Sequence, residues 1–257
     1  VGIMLAMGGV INMPELWAVA MLVIGVVVIA LFARWESRTP DHLLNVGLFR
    51  TKVFAGSCLA TFLNYAASYS ISYFLALYLQ SIGAISATEA GILMLVQAAL
   101  QAVVTPLFGR LSDRVEDKRI LPTTGMIITG VGVSFFLFYG LEVDYTLVIA
   151  TMLVVGFGMG MFSAPNTSVV MGSVRPEETG EASAMVAVMR QSGMMVSMGI
   201  AMLFISVIMG GSDNLVPENY DSFLDVIHIS FAVCLGMCIV GTFASFLRGR
   251  ETSAYSE

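Results

Sequence analysis

Charge is scarce in this chain. Only 12% of its 257 residues are charged, where a soluble domain carries roughly a quarter. With 57% hydrophobic residues and a mean hydropathy of +0.87, the chain cannot wrap itself in a polar shell. Lipid is therefore its expected solvent. Histidine and cysteine are nearly as rare. His42 and His228 lie far apart in sequence, and Cys58, Cys234 and Cys238 all fall in apolar runs, where they read as small core residues. No metal-ligand set and no nucleophile–base pair can be assembled from them. The chain is not expected to be an enzyme, to hold a metal or to need a cofactor. No Asp or Glu falls near the middle of any apolar run, and no loop is long enough to be a soluble domain. The net charge of −6 comes mainly from acidic connections, and nucleic acid is not an expected partner.

The few charges are ordered. Arg34, Arg38, Arg50 and Lys52 form one basic cluster, and Arg110, Arg114, Lys118 and Arg119 form a second. Arg175 follows alone, then Arg248 and Arg250. The connections between these clusters carry acids: Glu15, Glu89, Glu142 with Asp144, and Asp213 through Asp225. Basic and acidic connections alternate along the chain, which is the positive-inside pattern of a multi-pass membrane protein. It predicts a cytoplasmic C-terminus in the cell membrane. Only Arg190 falls inside an apolar run.

Runs of about 20 apolar residues are long enough to span a bilayer as helices. They cover Leu16 to Ala33, Val53 to Leu79, Ala90 to Gly109, Ile120 to Gly140, Thr146 to Met171, Glu177 to Met209 and Val226 to Leu247. The runs do not alternate as barrel strands would, so helices must satisfy the backbone. The chain opens at Val1 inside a shorter run, expected to be the end of a truncated helix. Pro176 followed by Glu177 and Glu178 predicts a helix start. Two small-residue stripes, Gly156-Gly160-Ala164 and Gly193-Ser197-Ala201, recur every four residues and suit close helix packing, static or sliding.

Specific motifs carry a resemblance. The segment Gly109-Arg-Leu-Ser-Asp113-Arg114-Val-Glu-Asp-Lys118-Arg119 resembles the signature loop of the major facilitator superfamily, Gly-x-Leu-Ala-Asp-Arg-x-Gly-Arg-Lys. It departs from that pattern at Glu116 and Asp117. Trp35-Glu36-Ser37-Arg38 with Leu48-Phe49-Arg50 is similar to the inner loop of 14-helix drug:proton antiporters of the EmrB/QacA type. Gly156-Phe-Gly-Met-Gly160, Ala164-Pro165-Asn166 and Arg190-Gln191-Ser-Gly193 are similar to two later helices of the same proteins. The resemblance implies an all-α membrane fold, the C-terminal six-helix bundle of such a transporter. Linker helices would occupy 1–34, a cytoplasmic loop 35–52, the bundle 53–247 and a cytoplasmic tail 248–257. It further implies proton-coupled efflux of lipophilic or cationic small molecules by alternating access, with the proton gradient as energy source. The alternatives are an importer of sugars or organic anions, or a non-transporting half-size membrane protein. The partners implied are the lipid bilayer, a small-molecule substrate and an N-terminal bundle that would hold the proton-coupling acid.

Candidate residues follow. By resemblance, Gly109, Asp113, Arg114, Lys118 and Arg119 form a conformational-switch loop. Arg190 needs the bundle interior or water around it, for structure or for substrate, and Asn64, Gln97, Gln101 and Asn166 are available polar partners. Tyr65 and Tyr69 belong to a four-residue aromatic stripe that could hold a cation or simply pack. Gly156, Gly160 and Gly193 are expected at helix contacts.

Overall fold

The computed structural model describes residues 46–112, 114–115, 117–210 and 215–248. The expected linker helices, most of the loop up to residue 52, Asp113 and the end of the chain after residue 248 lie outside them. After a short turn at Val46–Arg50, seven helices follow. They are α1 (Lys52–Ser68), α2 (Ser70–Ser81), α3 (Ala87–Ser112), α4 (Ile120–Ser134), α5 (Tyr145–Gly172), α6 (Thr179–Met209) and α7 (Tyr220–Leu247). Five segments, from α3 onward, are each long and apolar enough to cross a membrane. No strand occurs among the described residues.

Acidic residues open several helices. Asp144 caps α5, its carboxylate accepting from the N–H groups of Thr146 (2.8 Å) and Leu147 (3.3 Å). Ser86 and Glu89 bond reciprocally ahead of α3, a capping box. Pro176–Glu178 forms the expected opening turn of α6, with the Glu178 carboxylate accepting the Arg175 N–H at 3.2 Å.

α1 and α2 form one rod with a fault in it. Tyr69 keeps helical dihedrals (φ −70°, ψ −38°), yet the next N–H, of Ser70, leaves the ladder and donates to Ser197 Oγ on α6 at 2.9 Å. The Ser197 hydroxyl in turn donates to Ser70 Oγ at 3.1 Å. The Ala66 carbonyl, four residues before Ser70, is approached by Cys234 Sγ of α7 at 4.0 Å. A side chain inserted into the i→i−4 ladder is a recognised cause of helix breaks. Here it divides the single span expected over Val53 to Leu79 into two helices.

Successive helices run in alternate directions, so basic connections gather at one end and acidic ones at the other, and α5 lies parallel to α3 as α6 does to the α1–α2 rod. α5 packs chiefly on α3 and α4, and α1 on α6 and α7. Small residues set these contacts. A Cβ on Gly156 would lie 2.7 Å from the Gln97 carbonyl oxygen, and one on Gly160 2.8 Å from Val104. A Cβ on Gly193 would collide with the Phe62 carbonyl oxygen. All three glycines therefore sit where one helix backbone touches another helix. Toward the acidic end the core is aromatic. Phe136 stacks on Phe231 at 3.9 Å, with Phe74 edge-on to Phe231 at 5.5 Å and Tyr78 beside Tyr139 at 4.9 Å.

Candidate functional site

Toward the basic end the interior changes character. Ser57 and Thr61 lie one turn apart on α1 and give their hydroxyl protons to their own helix, at Val53 O (2.7 Å) and Ser57 O (2.9 Å). That back-bonding leaves their lone pairs to accept from other helices. Asn166 of α5, one residue after Pro165 within the helix, donates through Nδ2 to Thr61 Oγ1 at 2.8 Å and to Ser57 O at 3.2 Å. Its Oδ1 accepts from Arg248 Nη1 at 2.7 Å, and the same nitrogen donates to Ser57 Oγ at 2.9 Å. The polarity of the chain is thus settled atom by atom, and Asn166 cannot be flipped without losing bonds at both ends. Arg248 is 2% exposed. It fits because Gly56 has no side chain: a Cβ there would lie 2.5 Å from that of Arg248.

The polar seam continues to Arg190. This residue is eleven positions after Thr179, the start of α6, or about 17 Å along the axis. Its guanidinium lies over the Tyr65 ring, 5.4 Å from the centroid. Its Nε is enclosed and has no hydrogen-bond partner. Thr61, Ser163, Asn166 and Thr167 line the polar side of the crevice beside it, and Phe162 and Val186 the apolar side.

The structure therefore gathers three of the candidates, Tyr65, Asn166 and Arg190, on one crevice between α1, α5 and α6. Of the four polar partners expected for Arg190, only Asn166 lines that crevice, and its oxygen is turned to Arg248. Asn64 is fully buried, with neither side-chain atom hydrogen-bonded. Tyr69 sits at the fault in the rod and is 47% exposed. Gln97 and Gln101 are half-buried on α3 and do not line the crevice. Ser57, Thr61 and Arg248 were not anticipated. Arg248 reads as a topogenic charge after an apolar run, and the one sequence sign of its burial is Gly56 beside Ser57 on the facing helix.

The signature loop lies at the same end. Gly109 packs on the Ala164 side chain, where a Cβ would come within 3.3 Å. Arg114 is exposed and Lys118 half-buried. Asp117, a departure from the family pattern, holds Arg119 in a two-pronged pair at 2.9 and 2.8 Å, and this pairing raises the guanidinium pKa above its ordinary value. Arg119 also lies 5.9 Å from the centre of the Phe246 ring, joining the start of α4 to the end of α7.

A stacked bundle of apolar helices with a buried polar seam is a membrane architecture, and its family is recognisable. The family model of the Major Facilitator Superfamily matches residues 57–256. The chain belongs to the Major Facilitator Superfamily. It is similar to the multidrug efflux pump LfrA of Mycolicibacterium smegmatis, at 26% identity over 167 residues, which cover 65% of this chain and 33% of the pump. The riboflavin transporter RibZ of Clostridioides difficile is 22% identical over 229 residues, covering 88% of this chain and 49% of that one. Among solved structures, a bacterial homologue of the human lysosomal transporter Spinster, inward-facing and unoccupied, matches with a TM-score of 0.63 at 16% identity. The match covers 90% of this chain and 58% of that one. The chain thus spans between a third and a half of these two curated relatives. As a superfamily member it is a multi-pass integral membrane protein.

Proposed function

We propose that this chain forms the C-terminal half of a proton-coupled exporter of the 14-helix drug:proton antiporter type, moving small lipophilic molecules by alternating access. The observation that carries the reading is the polar seam. A bundle built only for packing has no use for a guanidinium held about 17 Å along a helix with no counter-ion among the described residues. Rocking of two bundles about a site near the middle of the membrane gives it one. The basic end would face the cytoplasm, following the positive-inside rule.

An N-terminal bundle would supply the other wall. Only Ala90, Val104 and Ser112 of α3 are buried, and Ile92, Leu95, Val103 and Leu107 lie open. Cationic cargo is less well supported than lipophilic cargo, since the Tyr65 ring that could receive a cation already carries Arg190. The relatives' names divide between multidrug efflux and riboflavin transport, so cargo must be read from the site.

The test is transport by the full-length protein in everted vesicles. Uptake of a lipophilic dye that stops when the proton gradient is collapsed supports the proposal. Uptake in the opposite sense would make the protein an importer, and gradient-independent movement would remove proton coupling.

A further inference from the structure

We infer that Arg190 is a headgroup subsite for an anionic cargo, a carboxylate carried on a lipophilic body. The inference rests on the transporter reading and gives it a substrate class. It begins from a charge that is not balanced. A guanidinium stays protonated at any accessible pH and offers five N–H donors. Arg190 is half-buried, its guanidinium lies 5.4 Å from the Tyr65 ring centre, and its enclosed Nε has no acceptor.

No acid among the described residues can balance it. α1, α2 and α5 contain no Asp or Glu. The nearest acid within α6, Glu181, is nine residues earlier, about 13 Å along the axis toward the basic end. On α7 the acids are Asp221 and Asp225, at the acidic end, where Tyr220 bonds the Ser81 carbonyl. The other positive group of the seam, Arg248, is held by Asn166 and Ser57. The amide oxygen that could have accepted from Arg190 is therefore already committed.

The lining of the crevice agrees. Thr61 and Thr167 spend their hydroxyl protons on backbone carbonyls, while Ser163 keeps a hydroxyl that can donate. A cationic group would be repelled here. A neutral one would leave the guanidinium charge standing in low dielectric. A carboxylate meets Arg in charge-assisted, two-pronged bonds, and Phe162 and Val186 suit the first carbons of its body. As it stands the crevice is closed and has no room for a water-sized group. It would take a headgroup only when the helices part during the transport cycle, with the lipophilic remainder lying outside it.

The probes are pyrenebutyrate and its methyl ester, which differ in one charge, presented to full-length protein in proteoliposomes under a proton gradient. The acid is expected to be carried in preference to the ester. Arg190→Gln is expected to raise the KM for the acid by about tenfold or more and to leave the ester unchanged, with Arg190→Lys in between. Equal loss for acid and ester would overturn the subsite and assign Arg190 to structure or to an acidic side chain of the other bundle. No loss for either would overturn it too.

If the wild-type protein carries neither probe, efflux of such compounds fails. Binding to the purified full-length protein then decides the subsite separately. An Arg190-dependent preference for the acid sustains it, and equal binding of acid and ester removes it. The wild-type comparison of acid with ester needs no variant, so a poorly folding substitution does not protect the idea.

Discussion

The two ends of the bundle are held together by different means. Toward the acidic end, Phe74, Phe136, Phe231, Tyr78 and Tyr139 fill the interior as interlocking rings, and their polar tips are discharged on local acceptors. Tyr78 donates to Gly140 O at 2.8 Å and Tyr139 to Thr151 Oγ1 at 3.2 Å. Toward the basic end, a seam of hydroxyls, an amide and two guanidinium groups runs beside an apolar cluster around Phe54 and Val170. Lipid tails give no hydrophobic gain for bringing helices together, so shape and hydrogen bonds must do it. Rings achieve this through contact area, which tolerates no water and no sliding. A hydrogen-bonded seam achieves it through partners that can be exchanged. The contrast marks the acidic end as the rigid plug of the bundle and the basic end as its adaptable part.

That contrast can be broken in order of effect. Phe136→Ala removes the ring stacked on Phe231 and should cost about 3 kcal/mol, seen as a fall in the melting temperature of the detergent-solubilised protein. The ratio of transport rate to folded protein should hold. Asn166→Leu keeps the branched shape but takes the acceptor from Arg248 and the donor from Thr61. It should cost about 2 kcal/mol and, unlike Phe136→Ala, depress transport per folded molecule. If both variants lose stability and keep transport, the two ends do not differ in the way described. Ser197→Ala frees the Ser70 N–H to rejoin Ala66, with a net cost of about 1 kcal/mol or less. Hydrogen exchange at Ser70 and Ile71 should change, and that at α4 should not. Asp117→Asn weakens a half-exposed pair and should cost a few tenths of a kcal/mol, vanishing at high salt. A larger loss would give the signature loop more weight in stability than its exposure suggests.

Much of this is legible from sequence because the membrane restricts the choices. An apolar run must be a helix, and a stripe such as Gly156-Gly160 must meet another backbone. Arg190 stands out for the same reason, as the one charge inside a run. Its surroundings do not stand out. Asn166 was a reasonable partner for it, but Arg248, distant in sequence, takes the amide instead, and the ring of Tyr65 takes Arg190. The fault at Tyr69 is also invisible locally, since the residues from Ala66 to Ile71 are acceptable helix formers. Its cause is a serine 127 positions further along the chain. Features set by one helix's own composition can be read in advance, and features set by a distant side chain cannot.

The fault in the first rod also has an order in time. Within a bilayer the N–H of Ser70 has no water to turn to, and Ser197 is made 127 residues after it, on the order of ten seconds later at ordinary synthesis rates. Until then the only backbone acceptor in reach is the carbonyl of Ala66. The ladder is therefore expected to close first through Ala66 and to open when the sixth helix docks and offers its hydroxyl. The gap between Ser68 and Ser70 is a record of assembly, made by the last arrivals on the first.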